Sequence, residues 1–212
     1  MQQPIRPPGA RPPRATRGFS LIEVLVAIVV LSFGMLGVVG LQAYAVQANR
    51  DARMQAQAAN LARELAEMMR GNKAVGAKST TADNPYLVSL SGTMSSGPSE
   101  YCMIVSNAST GCTSATAVAA AEMTEWLTRL RAELPGARVV VCFDSAPYDS
   151  SGKGQWGCTT SSDGIAVIKI GWTRNSTDRS ATGTDVIQTA TQQGSVPSLI
   201  FPVTSGNSQG DT

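Results

Sequence analysis

The chain contains no histidine. That absence removes the usual base of Ser-His-Asp and Cys-His catalysis, together with every metal site built on imidazole. Aromatic residues are scarce, at 5% of 212 positions. A basic excess is missing as well, since 17 Lys+Arg stand against 15 Asp+Glu. Residues 1–18 hold Arg6, Arg11, Arg14 and Arg17 and no acid, which leaves 13 basic against 15 acidic residues in the remainder. A dedicated nucleic-acid binder shows a strong basic excess over its folded domain, so charge lends nucleic acid no support as a partner without deciding the matter. No C-x-x-C spacing occurs among the four cysteines, and the usual sequence sign of a zinc site is therefore lacking. Residues 71–79 fail as a phosphate-binding loop, with one residue too many before Lys78 and a helical pattern ahead of them where that motif needs a strand.

What the chain does have is one long apolar run. From Phe19 to Leu41 the sequence is apolar for 23 residues apart from Ser20, Ser32 and one acid, Glu23. At ~1.5 Å per residue such a helix spans a hydrocarbon core of ~30 Å. Four arginines precede it and none occurs in the eight residues after it, which predicts a cytoplasmic N-terminus and an extracytoplasmic remainder. Four cysteines in that compartment are expected to form two disulfides. An ordinary secretory signal carries its apolar stretch before the cleavage site; here the basic segment runs straight into Gly18 and the apolar stretch follows. Glu23 is the anomaly, because a carboxylate inside an apolar span costs on the order of 2.5 kcal/mol or more and marks a functional candidate.

The segment Arg17-Gly18-Phe19-Ser20-Leu21-Ile22-Glu23-Val24-Leu25-Val26-Ala27 resembles the processing site of type IV prepilins and pseudopilins. The resemblance implies a cytoplasmic leader, residues 1–18, removed by a prepilin peptidase between Gly18 and Phe19, with N-methylation of Phe19 by the same enzyme. It also implies that Glu23 serves assembly by neutralising the terminal amine of a neighbouring subunit. Either charge alone is expensive in an apolar environment, whereas a pair offsets the desolvation. Gly34, Gly37 and Gly40 follow in the same span, where glycine permits close packing or local unwinding of a helix.

Beyond Leu41 the composition turns to Ala, Gln, Arg and Glu, without Gly or Pro until Gly71. Tyr44, Ala48, Ala52, Ala59, Ala62, Leu65 and Met69 mark a narrow apolar face. One helix is thus expected from Phe19 to about Arg70: a transmembrane part at 19–41 and an amphipathic continuation at 42–70. A globular head should occupy 71–212, with residues 71–99 as a connecting loop and ordered structure from near Tyr101. A second helix is predicted from about Thr116 to Leu134, stopped by Pro135-Gly136. Its apolar face is Met123, Trp126, Leu127, Leu130 and Leu134, and Glu122, Glu125, Arg129, Arg131 and Glu133 form its solvated side. Strands are predicted at 138–143, 165–172 and 198–203, with residues 173–195 as a surface loop or hairpin. The predicted fold class is α+β, of type IV pilin-like architecture: a long N-terminal helix packed on a small antiparallel-sheet head.

Four cysteines allow three pairings. Short closures favour Cys102–Cys112 and Cys142–Cys158, the second tying the 138–143 strand to the loop before the 165–172 strand. Two glycosylation-like triplets, at Asn107 and Asn175, are too short to carry weight. A membrane-anchored enzyme would have to use carboxylates such as Asp144, Asp149 and Asp163 or a Ser-Lys pair; their spacing supports neither, and no catalytic residue, metal or cofactor is expected.

The residues Val30-Leu31-Ser32-Phe33-Gly34-Met35-Leu36-Gly37, the Glu-Trp-Leu helix ending Leu134-Pro135-Gly136, and the strand ending Lys169-Ile170-Gly171-Trp172 are similar to the PilV group of minor pilins, the type IV pilus modification proteins. That resemblance implies a low-abundance subunit that helps to initiate pilus assembly in a tip complex, in filaments that serve twitching motility, adhesion and DNA uptake. Its implied partners are the prepilin peptidase, other minor pilins, the major pilin, the inner-membrane assembly platform and a tip adhesin. The chain would sit in the bacterial inner membrane with its head in the periplasm and then enter the pilus. A pseudopilin of a type II secretion system shares the first 25 residues of the motif and is the alternative.

Overall fold

The computed structural model describes residues 18–92, 102–103, 111–160, 164–176 and 180–204, with the side chains of 184 and 185 left aside. It comprises two compact units that divide between Ala48 and Asn49, a boundary that falls inside the first helix, α1 (Leu21–Gly71). Helix formation there needs little explanation. The first half is Leu, Val, Ile and Ala without proline, and the second is rich in Ala, Gln, Arg and Glu, all strong helix formers. Every described residue of the first unit is exposed.

The second unit is built on a four-stranded antiparallel sheet. A short helix α2 (Lys73–Gly76) is followed by β1 (Val88–Ser91), helix α3 (Ala115–Glu133), β2 (Arg138–Asp144) and β3 (Ile165–Gly171). Next come a small hairpin, β4 (Arg174–Asn175) with β5 (Ile187–Gln188), and a last strand β6 (Leu199–Val203). The sheet order is β1-β2-β3-β6. Register pairs Val139 with Ile170 and Val141 with Ile168, which puts these four on one face, and Val140 with Lys169 and Cys142 with Val167 on the other.

The first face packs against both helices. Ala58, Leu61, Ala62, Leu65, Ala66 and Met69 of α1 join Met123, Trp126, Leu127 and Leu130 of α3 and the inward residues of β2, β3 and β6 in one core. The buried face of α1 is broader than the narrow stripe read from sequence. It includes Ala58, Leu61 and Ala66, while Tyr44, Ala48 and Ala52 are exposed. The physical reason is that a helix against a sheet buries steps of both three and four residues, so adjacent pairs such as 61/62 and 65/66 are covered together. Two polar contacts join the two helices directly, and a third ties α3 to the segment ahead of β1. The Trp126 indole donates to the Leu61 carbonyl at 2.8 Å, the Arg129 guanidinium forks onto the Glu64 carboxylate, and the Tyr86 hydroxyl donates to Glu122. Glu122 and Arg129 are accordingly half-buried, in contrast to the solvated side expected for them.

Helix α3 begins where Ser114 accepts a hydrogen bond from the Ala117 N–H at 3.1 Å. It ends at Pro135-Gly136, where Gly136 has φ +62° and a Cβ would lie 2.3 Å from Thr173 Oγ1. Both strain and crowding require glycine there.

The expected connecting loop at 71–99 is a misreading. Its described part holds α2, a buried stretch at Asn84, Tyr86 and Leu87, and β1. The head therefore starts well before Tyr101, itself outside the described residues. A four-residue strand that alternates Val and Leu with Ser has too little intrinsic signal to show locally; it exists because β2 pairs with it along its whole length. The hairpin of β4 and β5 lies within the 173–195 stretch.

Candidate functional site

Gly18, Phe19 and Ser20 precede α1 in non-helical conformation, and all three are exposed, Phe19 at 83%. The Ser20 carbonyl opens the helix by accepting the Glu23 N–H at 3.0 Å and the Val24 N–H at 3.3 Å. The bond between Gly18 and Phe19 therefore lies outside the helical hydrogen-bond ladder, in backbone that a peptidase can take in extended form. Cleavage there would place a new amine on Phe19, one helical turn before Glu23. Glu23 occupies the first turn, where a carboxylate complements the positive end of the helix dipole. Among the described residues no side chain bonds or pairs with it. The chain thus brings the junction and the carboxylate onto one helix terminus, and no described residue satisfies the charge.

Gly34, Gly37 and Gly40 lie on the same helix, which runs through them without interruption. A Cβ at any of the three would meet nothing within 4 Å. Ser32 is satisfied within the helix, donating to the Ile28 carbonyl at 2.7 Å. Within α1 lies a stretch long and apolar enough to cross a membrane.

In the head, Cys102 is joined to Cys112 and Cys142 to Cys158, with Cα separations of 5.0 Å and 6.5 Å. The second bridge fastens a strap, residues 145–160, across the face of the sheet away from the helices. Under that strap lies a pair that the sequence did not reveal. Lys169 and Asp144, both fully buried, meet at 2.5 Å, and Lys169 also donates to the Gly157 carbonyl at 2.6 Å. The other Asp144 oxygen accepts the N–H groups of Ala146 and Thr159, each at 2.9 Å. Burial pushes the Asp144 carboxyl up, but the Lys169 ammonium and the two N–H donors outweigh it and hold it below the usual carboxylate range.

Those contacts bear on the candidate chemistry. Cys142, Asp144 and Cys158 place three donor atoms within 4.8 Å of one another. The two sulfurs are bonded to each other and the carboxylate to an ammonium, so the oxidised cluster does not offer a donor set for a cation. Asp149 sits in an exposed turn, where it accepts from the Ser151 hydroxyl, the Lys153 N–H and the Ser151 N–H. The Ser151 hydroxyl and the Lys153 N–H are the main causes that hold its carboxyl low. Asp163 and Asn107 lie outside the described residues. No described serine hydroxyl bonds to Lys169. Asn175 is exposed on β4.

Residues 13–39 match the family described as the prokaryotic N-terminal methylation motif. The matched stretch contains Gly18, Phe19, Glu23, Gly34 and Gly37 and stops short of Gly40. It makes the chain prepilin-like at its N-terminal segment, and the described part of that segment is the start of an apolar helix. No curated protein and no solved structure matches the chain.

Proposed function

We propose that the chain is a minor pilin of a type IV pilus, cut by a prepilin peptidase between Gly18 and Phe19, methylated at Phe19 and inserted into the filament through α1. The observation that carries this reading is the match to the methylation motif over residues 13–39, placed at the start of a helix whose second half is buried in the core of an α+β head. The leader, residues 1–18, stays in the cytoplasm; residues 19–41 hold the protein in the inner membrane, 42–70 continue the helix, and 71–212 form the periplasmic head. Glu23 receives the amine of a neighbouring subunit, since its own chain leaves the carboxylate unpaired among the described residues. Gly34, Gly37 and Gly40, with open space around each, let neighbouring helices approach closely. A PilV-like part in an initiation complex at the filament tip is supported by the Glu-Trp-Leu helix and the strand ending at Trp172. The role is structural.

Co-purification of the tagged full chain from crosslinked cells tests the assignment. Recovery of other minor pilins with the major pilin is the expected result. Recovery of type II secretion components instead would reassign the chain as a pseudopilin.

A further inference from the structure

The strap covers β2 and β3 but stops short of β1, where Ser89 and Ser91 are exposed. Arg138 stands at that border. It is the register partner of Ser91, and its guanidinium carbon lies 4.3 Å from the centroid of the Trp156 ring. Stacking occupies the face of the guanidinium and leaves the N–H fork at its rim open. Among the described residues no carboxylate pairs with it. Burial lowers its pKa, and among the described residues no acid counters that effect. No described acid lines the groove beside it, and Asp83, two positions after the groove residue Thr81, accepts from the Thr80 hydroxyl at 2.7 Å.

A groove of about 370 Å³ runs past Thr81, Ser89, Arg138, Val140 and Trp156. One of its walls is β1, an edge strand of the sheet. Among the described residues no strand pairs with the outer side of β1, and such an edge accepts an added strand through its backbone groups. Backbone pairing alone is indifferent to sequence. A half-buried cation without an anion is not, because a carboxylate that reaches it forms a two-pronged, charge-assisted contact.

We propose that this groove docks an extended segment of a partner protein that carries an aspartate or glutamate. The partner's main chain adds alongside β1, and its carboxylate meets the Arg138 fork. Arg138 selects the segment, and Val140, 4% exposed, forms an apolar floor beside it. The inference stands apart from processing at Gly18, because every residue it uses belongs to the head.

The test is photo-crosslinking in cells that express the full chain with a photoreactive residue incorporated at Ser89. The expected product joins Ser89 to one partner segment that contains an acid. Arg138→Glu should lower its yield by about tenfold or more, and changing the captured acid to lysine should restore it in the Arg138→Glu background. Formation of the Cys142–Cys158 bridge, read by non-reducing peptide mapping, checks that the strap still closes in each variant. Ser91→Asp leaves Arg138 and Trp156 in place but supplies a carboxylate from the register partner itself, and it should depress the yield comparably. Four outcomes overturn the proposal: yields indifferent to both variants, a captured segment without an acid, capture of a second copy of this chain, and loss of the crosslink to millimolar inorganic phosphate, which marks a simple anion site.

Discussion

Lys169 Nζ lies 2.5 Å from Asp144 Oδ2, with neither side chain exposed to solvent. Taking two ions out of water costs several kcal/mol for each, and mutual attraction repays that only when the remaining donors and acceptors are satisfied. Here they are engaged by Gly157, Ala146 and Thr159, all on the strap. The pair therefore holds the strap to the sheet at the level of charge, as the Cys142–Cys158 bridge does covalently.

Asp144→Asn leaves the Lys169 ammonium buried without a counter-charge, and a loss of about 3–5 kcal/mol in unfolding free energy is expected. Replacing both partners, Asp144→Asn with Lys169→Met, should cost less, because no buried charge remains and the amide oxygen still accepts from the Ala146 and Thr159 N–H groups. Denaturant unfolding of the full chain in detergent measures both; equal losses from the single and the double variant would refute the explanation.

The same carboxyl predicts an acid limit. Its pKa is lowered in the folded state, so its contribution is complete above the unfolded value of about 3.9 and is lost as pH falls through the lower folded value. The melting temperature should hold steady from neutral pH down to about 5 and then decline below about 4, with a shallower decline in the Asn/Met double variant. Melting curves across that range settle it.

Opening the strap bridge by Cys142→Ser with Cys158→Ser should destabilise the head by about 3 kcal/mol through the longer free loop in the unfolded chain. Non-reducing peptide mapping of the natural chain should find Cys102 linked to Cys112 and Cys142 to Cys158. Free thiols in chain isolated without reductant would contradict this.

Processing is tested at the junction itself. Intact-mass measurement should find a mature chain beginning at methylated Phe19, and Gly18→Val should block the cut by placing a branched side chain at the scissile bond. An uncut chain in cells that hold the peptidase would remove the prepilin reading.

Glu23→Gln should leave cleavage and insertion near normal while lowering the amount of processed protein in sheared pili several-fold. A carboxylate that merely reaches toward the membrane surface predicts the opposite, since the neutral amide is cheaper in lipid. The ratio of pilus to membrane protein distinguishes the two.

What could be read from the sequence followed the range of each signal. The N-terminal segment is contiguous, so Gly18, Phe19 and Glu23 stood out together. The α3 face from Met123 to Leu130 and the strands at 138–144 and 165–171 carry their own periodicity, which the core uses directly. β1 was missed because four residues owe their strand to a partner about fifty positions away. The Asp144–Lys169 pair joins residues 25 apart, and a lysine at an alternating strand position reads as solvent-facing. Only the strap, which has no periodicity, turns that position inward. Arg138 escaped for the same reason, since its setting is made by Trp156 from the strap.

The contacts between α1 and α3 have a mechanical consequence. Trp126 grips the Leu61 carbonyl and Arg129 forks onto Glu64 one turn on, so α1 cannot slide or rotate by a residue without breaking both at once. Tension that enters the head along α1 at Asn49 therefore meets these contacts in shear, together with the apolar residues from Ala58 to Met69. Contacts loaded in parallel yield together, whereas a helix peeled from one end would give them up in turn; the helix is seated to resist a pull along its own axis.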